Sequence, residues 1–177
     1  RETGLITGIN IASNASKQAL GAAVASGAMF IRSTGWVNGY YSTAGFIEPQ
    51  APEASVYKRL IGAGNVKVYA DVMVKNGSHY ILRDKSIGEM AKDVQSAHGH
   101  GVIVTGRSTG VMPEISHMSE IKGSIKITLM IGSGATTENV DKLTGIADGF
   151  IVGTHFRKNS KMNMPVIKDK VSAFMDK

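Results

Sequence analysis

The chain of 177 residues contains no cysteine. That absence excludes a disulfide scaffold, a cysteine-based zinc site and thiol nucleophile chemistry, and it leaves the redox compartment open. Long apolar runs are missing too: none reaches the roughly 18 to 20 residues that span a bilayer, so no transmembrane segment is expected. Neither Gly-x-Ser-x-Gly nor a Walker loop occurs, which removes sequence support for a serine hydrolase or a P-loop ATPase. The five histidines form no metal motif, because His98 and His100 flank a glycine while His79, His117 and His155 stand alone. No metal and no cofactor is expected. The 20 basic residues outnumber 14 acidic ones, for a charge of +6 and a pI near 9.6, but they are scattered. Without a dense run or an aromatic-rich RNA-binding signature, they read as a solvated surface or as contacts to anionic ligands and acidic partners, and nucleic acid is not expected. The start, Arg1-Glu-Thr-Gly, is neither an initiator methionine nor a signal peptide, so sequence ahead of it is expected. A soluble protein, cytoplasmic or organellar, fits all of this.

A hydrophobic content of 42% is enough for a sizeable core, and residues 1–177 read as a single α/β domain. Six apolar segments alternate with helical patterns. The strand candidates are Leu5–Ile11, Ala28–Arg32, Val66–Val74, Gly101–Thr105, Ile127–Ile131 and Gly149–Val152. The helix candidates are Ser16–Ser26, Pro52–Gly62, Ser86–His98, Glu114–Ile121, Thr137–Thr144 and Pro165–Met175. Such alternation argues for βα units and a parallel sheet, either open and doubly wound or closed as a barrel. Asn14 or Ser16 can cap the first helix and Gly27 can stop it; Ser86 with Glu89 has capping-box spacing, and Pro165 suits a first turn. The nine methionines are dispersed and read as core filler. Six units are two short of an eight-fold barrel, so an arc of six would leave two unpaired strand edges and an open interior.

Polar residues and glycines gather at the carboxyl ends of the strand candidates, where both sheet types place their sites. Ile131-Gly-Ser-Gly-Ala-Thr-Thr-Glu-Asn-Val140 and Ala147-Asp-Gly-Phe-Ile-Val-Gly-Thr154 each read as a buried strand ending in a small-residue turn. Gly132, Ser133, Gly134, Gly153 and Thr154 are therefore candidates for holding phosphate, since loops without Cβ atoms let N–H groups approach an anion. The Thr-Thr-Glu-Asn run reads as a helix start whose free N–H groups favour the same anion. Asp71 lies in an apolar strand, where it is either hydrogen-bonded for structure or a general base. Lys75 could neutralise it, bind an anionic substrate or form a Schiff base. Asn10, Arg32, Thr105, Gly106, Thr109 and Gly110 complete the substrate-binding candidates, with Arg107 either on a phosphate or in solvent.

Val104-Thr-Gly-Arg-Ser-Thr-Gly110, Ile131-Gly-Ser-Gly-Ala-Thr-Thr-Glu-Asn139 and Ala147-Asp-Gly-Phe-Ile-Val-Gly-Thr-His-Phe156 resemble the BtpA family, also called BtpA/SgcQ. Gly8-Ile-Asn-Ile11, Ala28-Met-Phe-Ile-Arg32 and Ala70-Asp-Val-Met-Val-Lys75 fall in the order that family would place them. The resemblance implies a TIM-type (β/α) barrel that is incomplete, lacking about its first two βα units. It further implies either binding of a small phosphorylated metabolite, sugar or nucleoside-like, with Asp71 and Lys75 at the reacting end, or a non-catalytic role in assembly such as photosystem I biogenesis. A homo-oligomer or a protein partner would then cover the incomplete barrel. The chain departs from the family pattern at Ser42-Thr-Ala-Gly45, where an acid and an amide are usual, at Asn76 in place of a histidine, and at Ala15 in place of an acid. Those departures imply a degenerate enzyme that kept its anion site.

Overall fold

The computed structural model describes residues 3–108 and 110–177. Along the described residues the order is β1 (Gly8–Asn10), α1 (Ser16–Ser26), β2 (Phe30–Ser33), β3 (Tyr40–Ser42), β4 (Gly45–Ile47), α2 (Ala51–Leu60) and β5 (Lys67–Val72). It continues with α3 (Ile87–Ser96), β6 (Gly101–Val104), α4 (Ile115–Ser124), β7 (Thr128–Ile131), α5 (Val140–Leu143), β8 (Gly149–Phe150) and α6 (Lys168–Met175). Six strands pair in parallel in the order β1-β2-β5-β6-β7-β8, and the sheet curls into a half-barrel. β3 and β4 form a separate antiparallel hairpin that the sequence pattern does not announce.

Alternation along each strand separates the two faces. Ile31, Val68, Ala70, Val102, Leu129 and Ile131 are buried in the hydrophobic core between sheet and helices. Leu20 of α1, Val94 of α3, Ile121 of α4 and Leu143 of α5 complete that layer, each essentially without solvent contact. At about 25 cal/mol per Å² of apolar surface, full burial of one such side chain stabilises the fold by about 1.5–3 kcal/mol. The inner face carries Phe30, Tyr69, Ile103 and Met130 around a cavity of about 420 Å³. Phe30 and Tyr69 meet edge to face with centroids 5.4 Å apart. β1 and β8 close on no further strand, so both edges of the sheet are unpaired among the described residues.

Local signals account for some boundaries and not for others. Gly27 ends α1 in the left-handed region at φ 75°, its N–H bonded to the carbonyls of Ala23 and Val24. At α3 the capping box forms: Ser86 Oγ accepts from Glu89 N–H at 3.2 Å, and Glu89 Oε2 accepts from Ser86 N–H at 2.7 Å. The start of α1 differs from expectation. Ala15 occupies the cap position with no side-chain bond, because Asn14 binds Phe46 O and Glu48 N–H of the hairpin and Ser16 Oγ is paired with Ser33 Oγ at 2.8 Å. Pro165 lies ahead of α6, whose first residue is Lys168. The Thr-Thr-Glu-Asn run is a turn, and α5 behind it has only four residues.

Asp148 ties the foot of β8 to its neighbours. Its Oδ2 accepts from Leu129 N–H at 2.8 Å, and both oxygens accept from Lys122 Nζ. The Leu129 bond first, and Lys122 second, hold this carboxyl below the ordinary aspartate value of 3.8. A depressed aspartate stabilises the fold above its unfolded pKa, and that contribution is lost as pH falls through the folded value. Urea midpoints measured across this acid range are therefore expected to fall less steeply for Asp148→Asn than for the parent.

Candidate functional site

Arg32 and Asp71 face one another on the inner side of neighbouring strands β2 and β5. Arg32 Nε donates to Asp71 Oδ2 at 2.8 Å, and Nη2 donates to Oδ1 at 2.7 Å. The carboxylate side chain is only 1% exposed and the guanidinium 19%. Burial pushes the Asp71 carboxyl above the usual aspartate range, opposed by the hydrogen bonds and charge of Arg32 and by the charge of Lys75. Desolvation lowers the guanidinium pKa, but the bonds to Asp71 and its charge outweigh it and leave the pKa raised. The two shifts point to opposite preferences for the carboxyl. The bidentate fork, with both oxygens accepting, decides for an ionised pair at neutral pH. Two of the five guanidinium N–H donors are used in it, so Asp71 orients an arginine that retains donors.

Above this pair, a cavity of about 420 Å³ opens at the carboxyl ends of the strands. Arg32, Lys75, Gly132, Ser133, Gly153 and Thr154 contribute to its wall. The two glycine-containing loops are thus brought together, with both cations beside them. Gly132 sits under the guanidinium: a Cβ there would lie 3.5 Å from Arg32 Nη2 and within 2.7 Å of methyl groups of Ile103 and Thr105. No acceptor among the described residues binds the backbone N–H groups of Ser133, Gly134 or Gly153, and none of the described residues forms an ion pair with the Lys75 ammonium. An electropositive recess with unfilled N–H donors is suited to an oxyanion.

Other groups are committed elsewhere. Ser133 Oγ donates to Val111 O at 2.9 Å and accepts from Gly106 N–H at 3.4 Å, joining the β7 loop to the β6 loop. Gly134, at φ 81°, leaves no room for a Cβ, which would fall 2.3 Å from Met112 N, so the close packing of the two loops requires glycine there. Thr136 N–H is held by Asn139 Oδ1 and Thr137 N–H by His155 Nε2. Thr154 Oγ1 donates to Met162 Sδ at 3.2 Å. Gly110 also lines the cavity, at φ 82°. Asn10 is placed apart, its amide donating to Arg32 O at 3.1 Å on the inner face. Thr109 lies outside the described residues.

A second cavity, of about 670 Å³, adjoins the first between the β5 and β6 loops, and Lys75 and Val111 line both. Thr105, Gly106, Arg107, Asn76 and His79 belong to it. No cluster of three metal-ligating side chains occurs among the described residues, and no helix there is long and apolar enough to cross a membrane. Sequence reasoning missed His79, which stacks on Tyr40 with centroids 5.0 Å apart; nothing in its flanking sequence signals that contact. The departing segment Ser42–Gly45 is the tip of the β3–β4 hairpin and lines neither cavity.

A parallel half-barrel with its recesses at the carboxyl ends of the strands defines a TIM-barrel-like α/β protein. The chain belongs to the BtpA family, whose model matches residues 1–177. It is 32% identical over 170 residues to an uncharacterized mitochondrial protein of Caenorhabditis elegans, covering 96% of this chain and 61% of that one. Identity is 35% to an uncharacterized protein of Pyrococcus furiosus, over 94% and 62% of the respective chains. It is 30% to the photosystem I biogenesis protein BtpA of Synechocystis, over 96% and 58%. The chain thus spans about three-fifths of the length of these relatives. Among solved structures, morphinone reductase in complex with tetrahydroNAD superimposes with a TM-score of 0.54 at 12% identity, over 90% of this chain and 50% of that one. A mandelate oxidase with a monooxide FMN adduct gives 0.52 at 20% identity, over 80% and 46%. At those identities the likeness shows the fold alone.

Proposed function

We propose that this chain, acting as a single α/β unit, binds a small phosphorylated metabolite, sugar or nucleoside-like, at the cleft above Arg32. One observation carries the reading: the unfilled N–H groups of Ser133, Gly134 and Gly153 share a recess with Lys75 and an arginine locked in place by Asp71. Phosphate oxygens would accept from those N–H groups and from the free guanidinium and ammonium donors, all charge-assisted bonds. Gly132 and Thr154 shape the ends of the phosphate loops, and Thr105, Gly106 and Gly110 border the rest of the ligand. Asp71 fits a positioning role better than that of a general base, because both its oxygens already accept from Arg32. Lys75 would serve charge neutralisation. The reading is therefore of binding, in a barrel descended from enzymes and depleted of free acid and base groups beside the phosphate. Calorimetric titration with inorganic phosphate and with ribose 5-phosphate tests it: saturable, salt-sensitive binding of both is expected, and no heat from either would refute it.

A second reading is favoured by a different observation, the unpaired β1 and β8 edges bordering an apolar inner face. Open edges and half-buried aromatic side chains are liabilities in isolation. The sheet is the length of a barrel short of two βα units, and a second copy or a protein partner would cover it, as an assembly role would require. The relative named for photosystem I biogenesis supports that possibility by similarity. The mass of the purified chain in solution separates the two readings, since a phosphate-binding monomer needs no such cover.

A further inference from the structure

We infer that the metabolite is a phosphorylated nucleoside, its phosphate in the recess above Arg32 and its base in the adjoining 670 Å³ cavity. The inference rests on the phosphate reading and names the substrate class of the same cleft. Lys75 and Val111 line both cavities, so one ligand can occupy the two at once. Met73, Leu82, Met90, Met112 and Pro113 wall the second cavity. Thioether and aliphatic walls suit the faces of a flat heterocycle, with sulfur–ring contacts in addition. A sugar alone would press hydroxyls against those walls without partners, which is costly.

Two buried polar atoms lie beside this cavity without partners. Thr105 is 6% exposed, and its Oγ1 has no hydrogen-bond partner among the described residues; the same holds for Nδ1 of His79. An unsatisfied buried polar atom is costly, and a ligand that supplies its partner recovers that loss. Each belongs to a side chain lining the cavity, and ring nitrogens or exocyclic groups of a base provide both donors and acceptors. His79 is held for the task by its stack on Tyr40 and by the bond between Nε2 and Val74 O at 3.1 Å. A second phosphate fits less well. Two of the N–H groups that would cradle it are taken, Gly106 N–H by Ser133 Oγ and Asn76 N–H by Arg107 O, and of the lining cations Lys85 is paired with Asp93 and Arg83 donates to the Tyr80 hydroxyl. Arg107, at the rim, can stack its guanidinium plane on the base.

The experiment titrates the chain with inorganic phosphate, ribose 5-phosphate, the four common nucleoside 5′-monophosphates and the matching nucleosides. At least one monophosphate is expected to bind about tenfold or more tightly than ribose 5-phosphate, the effect of burying a ring and satisfying polar atoms. Thr105→Val, which keeps the shape and removes the hydroxyl, is expected to weaken that monophosphate by about fivefold while leaving inorganic phosphate unchanged. His79→Phe keeps the stack and provides the same test should the first variant fold poorly. Equal affinity for ribose 5-phosphate and all four monophosphates would overturn the inference and spare the phosphate reading. So would variants that weaken every ligand alike. If inorganic phosphate and ribose 5-phosphate fail to bind, the phosphate reading falls; binding of a nucleoside would then keep the base cavity, and its failure would remove that as well.

Discussion

Replacing Gly153 by aspartate is expected to abolish phosphate binding while leaving the fold intact. Gly153 has a φ of −125°, and a Cβ built there meets no atom within 4 Å. A side chain can therefore enter without displacing a neighbour, which is not true of Gly132 or Gly134 in the facing loop. The new carboxylate would stand in the recess lined by Arg32 and Lys75, compete for both cations and repel the incoming anion. Like-charge juxtaposition costs several kcal/mol, and about 2.8 kcal/mol is already a loss of about 100-fold. Gly153→Ala supplies the control, with affinity expected within about threefold of the parent because no charge is added. Titration with inorganic phosphate, alongside thermal unfolding to verify the fold, gives the result directly. Unchanged affinity in the aspartate variant would remove the recess as the anion site.

Arg32→Met is expected to destabilise the chain by about 3–5 kcal/mol, the usual cost of breaking a buried ion pair by deleting one partner. The methionine fills much of the arginine volume, so the loss comes from stranding the Asp71 carboxylate, whose side chain is 1% exposed. A second replacement, Asp71→Leu, in the same chain should restore most of the stability, since apolar side chains of similar volume commonly substitute for a buried pair at little cost. The pH dependence has a definite sign. Without Arg32 the opposition to burial weakens and the Asp71 pKa rises further. An aspartate pKa raised in the folded state means that the folded chain binds the proton more readily, so the deficit of Arg32→Met should shrink as pH is lowered from neutrality. Urea denaturation of the three chains at several pH values measures all of this. A deficit that does not change with pH would show that packing, not charge, sets the role of the pair. The same variants read out function: phosphate binding should be lost in both, because the double variant recovers stability without recovering the cation.

Much of the architecture was legible along the chain. Five of the six parallel strands lie within the apolar segments between Leu5 and Val152, and β2 runs one residue past its segment to Ser33, because a strand buried on both faces has to be nearly continuous in hydrophobic residues, as Gly101–Val104 is. Boundaries with a local chemical cause, the Gly27 stop and the Ser86–Glu89 box, were equally visible. The β3–β4 hairpin was not, since its strands have three residues each and too few alternations to register. The caps at Asn14 and Ser16 were misread for a related reason: both side chains have local partners available, and contacts 17 to 34 residues away won instead.

The candidate site divides along the same line. Residue types alone marked Asp71, Lys75 and the paired glycine loops as polar or small groups at strand ends, where a parallel sheet gathers its sites. The family, too, is written in those motifs. Only the folded arrangement distinguishes among their roles. It joins Asp71 to Arg32 across 39 positions, engages the Ser133 hydroxyl with the β6 loop, and leaves no room for a Cβ at Gly134 while Gly153 stays open. It also brings His79 and Thr105 to one cavity that no motif foretold. The physical reason is the range of the interactions. Periodicity, caps and glycine turns act over a few residues and can be read in order, whereas the occupancy of a hydrogen-bonding group depends on whatever the curled sheet brings beside it.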